Sequence, residues 1–263
     1  MQRPVRDGNV SSLDTATTTR LRRANLGAAA LHAVQAVAVV ALASDFALPV
    51  TAQYLAGPPG TTPEDQVVLF DIPTGLAVAG FLALSALAHL LVATAWWRRY
   101  VDDLGRQRNP ARWVEYSLSS SLMIVLIAQL VGIADIAALV ALFGVNASMI
   151  LFGWLQEHYE RPGGGGWLPF VFGCVAGAVP WLAITVYLVS PGSTSGESAP
   201  GFVYGIFVSL FVFFNIFALN QWLQYRAVGR WRDYLFGEGV YIVLSLTAKS
   251  VLAWQVFGGT LAS

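Results

Sequence analysis

Seven apolar runs, each about as long as a bilayer is thick, constrain this chain more than any other feature. A hydrocarbon core of about 30 Å needs about 20 predominantly apolar residues per helix. Runs of that length lie at roughly 24–46, 74–97, 112–132, 134–155, 167–189, 201–225 and 234–257. None alternates as a barrel strand would. None reads as a cleavable signal, because the first 19 residues (MQRPVRDGNVSSLDTATTT) are polar and the first apolar run is already a full span. Composition agrees: the 263 residues are 56% hydrophobic and 11% charged, against about 25% charged in soluble domains. Fifteen basic and fifteen acidic residues cancel, so no nucleic-acid surface is indicated. One cysteine, Cys174, excludes a disulfide framework and a cysteine-based metal cluster. The expected protein is an all-α, seven-transmembrane-helix bundle whose partner is the lipid bilayer.

The basic residues orient that bundle. Fourteen are arginine. Arg3, Arg6, Arg20, Arg22 and Arg23 precede the first span, and Arg98, Arg99, Arg106, Arg108 and Arg112 lie between the second and third or at their ends. Arg161 follows the fourth, and Arg226, Arg230 and Arg232 follow the sixth. Segments 47–73, 132–135 and 190–200 and the C-terminal tail contain neither Arg nor Lys. By the positive-inside rule the N-terminus is cytoplasmic and the C-terminus extracellular. The reading divides the chain into a cytoplasmic segment 1–23, a seven-helix domain 24–257 and an extracellular tail 258–263. Trp96, Trp97 and Trp231 fall in the interfacial belt.

Short loops make successive helices antiparallel neighbours. The exception, 47–73, places two β-prone stretches around GPPGTTPED, which predicts an external β-hairpin between the first two helices. A lone hairpin is marginal without support, so this one is either an ordered cover or a contact in a homodimer. Gly173-x-x-x-Gly177 in the fifth span is a candidate helix-pairing face. The run 162–166 (PGGGG) lacks the strand and Lys-Ser/Thr of a phosphate loop.

The fifteenth basic residue, Lys249, is the only lysine, and it sits in the middle of the seventh span. An ionisable group there costs about 2.5–3.5 kcal/mol on insertion scales and is a functional hypothesis by default. A desolvated lysine can form a Schiff base, which arginine cannot. The alternative is a lysine paired to a carboxylate for packing or ion coupling. A buried cation needs an anion, and the candidates are Glu115, Asp135, Glu157 and Glu238. Glu115 is best placed, on the face of the third span that carries Ser119, Leu122 and Met123. Arg112, one turn earlier, is expected to help keep it ionised. Lys249 lies about 15 Å into its run and Glu115 only about three residues into its own, so the lysine stem must point back along its helix and tilt must close the gap.

Seven helices, a lysine in the middle of the last and Arg-x-x-Glu opening the third resemble a microbial-type retinal protein. The inverted orientation, the external hairpin and the string RWVEYSLSSSLMIVLIA at 112–128 resemble the heliorhodopsins specifically, over nearly the whole chain. The resemblance implies a rhodopsin-like bundle with all-trans retinal on Lys249 as a protonated Schiff base. It implies Glu115 as counterion, in surroundings that include Ser119, Ser245 and Arg112. In the related proton pumps a carboxylic donor follows the counterion by three turns; here that position is Leu126, and Ser245 stands where the pumps have an aspartate. Toward the outer face only Gln129 and Asp135 remain, so pumping is not expected.

The inner half is more polar. His32, His89, Glu157 and Glu238 lie there; the resemblance implies a polar inner cavity holding the two histidines, and this cavity is expected to hold the Schiff-base proton briefly after photoisomerisation and return it. Histidine is suited to that task because it titrates near neutrality. For the retinal pocket the resemblance implies Tyr116, Ser120 and Met123 on the third helix, and Asn146, Ile150 and Gly153 on the fourth. It adds Trp181 on the fifth, Phe214 and Gln221 on the sixth and Trp254 on the seventh. The expected function is a light sensor, not an enzyme, read by a separate cytoplasmic or membrane partner. The alternatives are a light-gated channel or light-driven transporter, and a membrane protein that uses Lys249 without retinal.

Overall fold

The computed structural model describes residues 14–190 and 196–261. Arg3, Arg6 and the rest of 1–13, part of the predicted outer segment 190–200, and the last two residues of the predicted tail lie outside the described residues. Among the described residues, seven helices are long and apolar enough to cross a membrane: α1 (Thr15–Leu42), α2 (Thr74–Ala93), α4 (Pro110–Leu130), α5 (Ile136–Tyr159), α6 (Leu168–Val189), α7 (Gly201–Tyr225) and α8 (Tyr234–Val256). The protein is a multi-pass membrane protein, and each expected span is present.

The boundaries differ where hydropathy carries no information. Helix α1 starts at Thr15 rather than near 24, because Asp14 caps it by accepting from Thr17 N at 3.2 Å and Arg, Leu and Ala sustain a helix outside the bilayer. The second span stops at Ala93, four residues short of the expected 97, and an unpredicted short helix α3 (Trp97–Gly105) follows. It is amphipathic: Tyr100 and Leu104 are buried, while Arg99 is exposed. Helix α8 runs into a π-helical turn, Phe257–Leu261, whose end accepts Ser44 N at 3.1 Å.

The hairpin forms as expected. Strands β1 (Ala47–Ala52) and β2 (Val67–Pro73) pair antiparallel, with a bulge between Val50 and Thr51. Strand β1 is the supported one. Thr51 N donates to Ala134 O at 2.9 Å and Gln129 Nε2 to Pro49 O at 3.3 Å, so it lies across the ends of α4 and α5. Asp135 is spent as the N-cap of α5, accepting from Ala137 N and Ala138 N. Strand β2 is exposed almost throughout.

The interior divides along the bundle axis. Toward the hairpin, Phe81, Leu82, Ile124, Ile127, Ile206, Leu210 and Leu252 form one apolar core. Toward the arginine-rich end the buried residues include Asn25, His89, Asn109, Arg112, Glu157 and Glu238. Outward-facing valines and leucines, such as Val34 and Val37, present the apolar surface that lipid requires.

Candidate functional site

Lys249 Nζ lies 2.7 Å from Glu115 Oε1, with both side chains buried. The depth mismatch expected from the sequence is closed by the lysine stem. Nζ also donates to Ser245 Oγ, one turn earlier on α8, at 2.9 Å, so the stem runs back toward the start of the helix. Ser85 of α2, which sequence reasoning missed, donates to the same Glu115 oxygen at 2.6 Å. Its one sequence signal is its place four residues before His89, on the same helix face. Ser119 is fully buried on the same helix as Glu115, and its Oγ has no hydrogen-bond partner among the described residues. The Tyr116 ring faces Nζ at 5.1 Å.

Lys249 forms part of the wall of a cavity of about 620 Å³ between α4, α5, α6, α7 and α8, within the roughly 300–1,000 Å³ of small-molecule sites. The predicted Tyr116, Ser120 and Met123 line it, as do Ile150, Gly153 and Trp181. Phe214 and Gln221 complete the predicted set at its wall. Trp181 packs edge-on against Phe207, Phe211 and Phe214 at 5.6, 5.3 and 5.4 Å. Glycines widen the space: a Cβ at Gly153 would come within 2.6 Å of the Trp113 ring, and one at Gly177 within 2.6 Å of Met149 Sδ. The Gly173–Gly177 face is therefore used within the chain, against α5. Two predicted pocket residues do not line the cavity. Asn146 stands behind the wall, donating to Ser120 Oγ at 2.9 Å and Ser121 Oγ at 3.0 Å. Trp254 is 42% exposed, because five residues beyond Lys249 corresponds to a rotation of about 140° around the helix. Trp113, Phe217 and Tyr241 line the cavity and were not anticipated.

Arg112 does not accompany Glu115. Its guanidinium pairs with Glu157 and Glu238 and stacks over Trp113 and Tyr241 at 4.6 and 4.0 Å. Helical side chains lean toward the N-terminus of their helix, which carries this long one to the ends of α5 and α8. Each carboxylate accepts from three groups. Glu157 receives Asn109 N, Arg112 and Tyr234 Oη; Glu238 receives Asn109 Nδ2, Arg112 and Tyr100 Oη. Tyr100 lies on α3, outside the spans; burial, reinforced by the neighbouring Glu238 carboxylate, pushes its phenol well above the usual range, so it stays protonated and donates.

Between this cluster and Glu115 is a small cavity of about 30 Å³, walled in part by Asn25, His89, Arg112, Glu115 and Glu238. Of the four residues expected to form one inner cavity, His89 and Glu238 are on its wall. His32 stacks against His89 with ring centroids 5.9 Å apart, and Glu157 lies beyond Arg112; neither is on the wall.

A chromophore with a long apolar body and one carbonyl end fits these residues: an aromatic cavity with a single amine in its wall and a carboxylate beside that amine. The comparisons point the same way. The family model described as Heliorhodopsin matches residues 21–261. No curated protein matches the chain.

Proposed function

The chain belongs to the heliorhodopsin family of retinal-binding, light-sensing rhodopsins, and on that premise we propose that Lys249 is the attachment site of all-trans retinal, with Glu115 as counterion. The observation that carries the proposal is the buried 2.7 Å pair of Lys249 and Glu115 at the cavity wall. Lys249 Nζ would hold retinal as a protonated Schiff base, and the bound chromophore would supply light absorption and isomerisation. The chain does the rest. Glu115 neutralises the charge at Nζ, while Ser85 and Ser245 fix the pair by hydrogen bonds. Trp181 and its phenylalanine neighbours hold the apolar body, and Trp113, resting on Gly153, bounds the cavity. Once light separates the charges, the polar groups toward the arginine-rich end are the ones that can take the proton from Nζ, with His89 sharing the small cavity with Glu115. On the other side stand Ile124, Ile127, Leu210 and Leu252, which neither accept nor conduct a proton. The proton therefore returns by the way it left and no ion is pumped.

This reading places the arginine-rich end in the cytoplasm, where a separate partner senses the strained bundle, and uses exposed β2 as a homodimer contact. The test is reconstitution of purified protein with all-trans retinal. A visible band is expected from the wild type and none from Lys249→Ala. Glu115→Gln is expected to shift the band strongly to the red, because the Schiff-base charge loses its anion. Colour in Lys249→Ala would overturn the attachment, and sustained light-evoked current under voltage clamp would overturn the absence of transport.

A further inference from the structure

We infer that Asn25 sets the tautomer of His89, making Nε2 of that ring the base that receives the proton; this rests on the retinal reading above and names the atom it leaves open. Asn25 is 2% exposed, and three groups surround its amide. Leu21 O, 2.9 Å from Asn25 Nδ2, is a carbonyl and can only accept. That contact fixes the amide: nitrogen toward Leu21, oxygen away. The second group, Tyr100 Oη, is 3.4 Å from the same nitrogen. The phenol spends its hydrogen on Glu238 at 3.2 Å, so its oxygen is free to accept the other hydrogen of Nδ2. Both hydrogens of the amide are thus committed. Asn25 Oδ1, an acceptor only, is left facing His89 Nδ1 at 2.7 Å. For that contact to be a hydrogen bond, His89 must carry its proton on Nδ1. A neutral ring then has its lone pair on Nε2.

His89 Nε2 is buried and has no hydrogen-bond partner among the described residues, so the lone pair is unspent. His89 shares the small cavity with Glu115, and a volume of about 30 Å³ has room for a water to link them. All three bonds run in one direction, from His89 to Asn25, from Asn25 to Tyr100 and from Tyr100 to Glu238. They end on a carboxylate that also accepts from Arg112 and Asn109. An amide does not pass a proton on, so Asn25 is a positioning residue and the chain beyond it orients rather than conducts. The ring second in line, His32, has neither nitrogen partnered among the described residues and stacks on His89, so nothing comparable fixes its tautomer.

The sequence contains only three histidines, His32, His89 and His158, which makes ring ¹⁵N NMR of the retinal-loaded pigment in lipid nanodiscs tractable, with His89→Gln as the assignment control. The expected dark-state spectrum shows His89 neutral, with Nδ1 protonated and Nε2 bare. Asn25→Leu is expected to return the ring toward the Nε2–H form that histidine favours in water. It should also slow loss of the Nζ proton after a flash by about tenfold or more, while the dark absorption maximum stays in place. Nε2–H at His89 in the wild type, or an unchanged tautomer in Asn25→Leu, overturns the inference; the wild-type spectrum alone decides it where the variant does not fold. Failure of the retinal reading is separate. Wild-type protein that stays colourless overturns the attachment at Lys249, whereas Leu21, Asn25 and Tyr100 impose the His89 tautomer whatever Lys249 carries.

Discussion

The two halves of the bundle are held together by different physics. The half toward the hairpin is a dry core in which Phe81, Ile124, Ile127, Leu210 and Leu252 interdigitate, and polar chains there pair off locally, as Gln35 does with Ser250 at 3.0 Å and Ser209 with Gln255 at 2.9 Å. The arginine-rich half is a connected polar network through Asn25, His89, Tyr100, Asn109, Arg112, Glu157 and Glu238. Lys249 and Glu115 lie on the boundary between them. On the function proposed above, a proton displaced there meets a connected set of acceptors in one direction and a mainly apolar core in the other, and its movement is a round trip.

If that contrast is right, the largest cost comes from removing the one cation of the polar network. Arg112→Gln leaves Glu157 and Glu238 buried without their shared cation, and is expected to cost about 3–5 kcal/mol, read as earlier thermal bleaching of the pigment. Glu157→Gln removes one of two carboxylates that share a single guanidinium and should cost clearly less. Equal losses in the two variants would mean that the cluster is held by packing rather than by charge.

In the dry half the expected penalty follows shape. Leu210 is fully buried and does not line the large cavity. Leu210→Ala is expected to cost about 2–5 kcal/mol through lost contacts and an empty volume, while leaving the absorption maximum where it was. A band shift comparable to that of Glu115→Gln would show that the dry half does tune the chromophore and would break the division.

What is legible in the sequence follows the same division. The seven spans are readable because a bilayer imposes length and apolarity on every crossing helix, whatever it packs against. The hairpin is readable because Gly57, Pro58, Pro59 and Gly60 punctuate two β-prone stretches. Helix α3 is not readable, since nine residues with charges at Arg98, Arg99, Asp102 and Asp103 carry no apolar span signal. The Lys249–Glu115 pair stands out because an ion in a span must be answered by another. Ser85 and Asn25 do not, because a small polar residue in an apolar helix is common and only the packing of α2 on α4, or of α1 on α2 and α3, gives it a partner. Spacing alone puts Arg112 beside the wrong carboxylate, because it locates a Cα and not the end of a long side chain. Trp254 rests on the resemblance alone, and the rotation of α8 turns it outward.

At the boundary the expected effects are spectral. Ser85 Oγ donates to Glu115 at 2.6 Å, and a hydrogen bond to a charged group contributes about 1.5–3 kcal/mol. Ser85→Ala concentrates negative charge on the carboxylate facing Nζ, so the absorption maximum should move to the blue, by less than Glu115→Gln moves it to the red. A red shift in Ser85→Ala would mean that the serine bonds to something other than Glu115 in the pigment.

The smallest effect on stability is expected on the far surface of the dry half, where the contrast concerns assembly. Strand β1 is covered by the ends of α4 and α5, but β2 leaves Val67, Val68, Leu69 and Phe70 each more than 40% exposed, and among the described residues β2 pairs only with β1, in a two-stranded sheet. An exposed apolar edge of this kind is a template for another chain. A second copy of the same hairpin is the occupant that a homodimer supplies. Val68→Lys places a charge on that strand without touching the bundle, so stability should stay within about 0.5 kcal/mol and the absorption maximum should not move. Light scattering after size exclusion should show the wild type as a dimer and the variant as a monomer. A variant that remains dimeric would move the contact off the hairpin and leave β2 as a cover only.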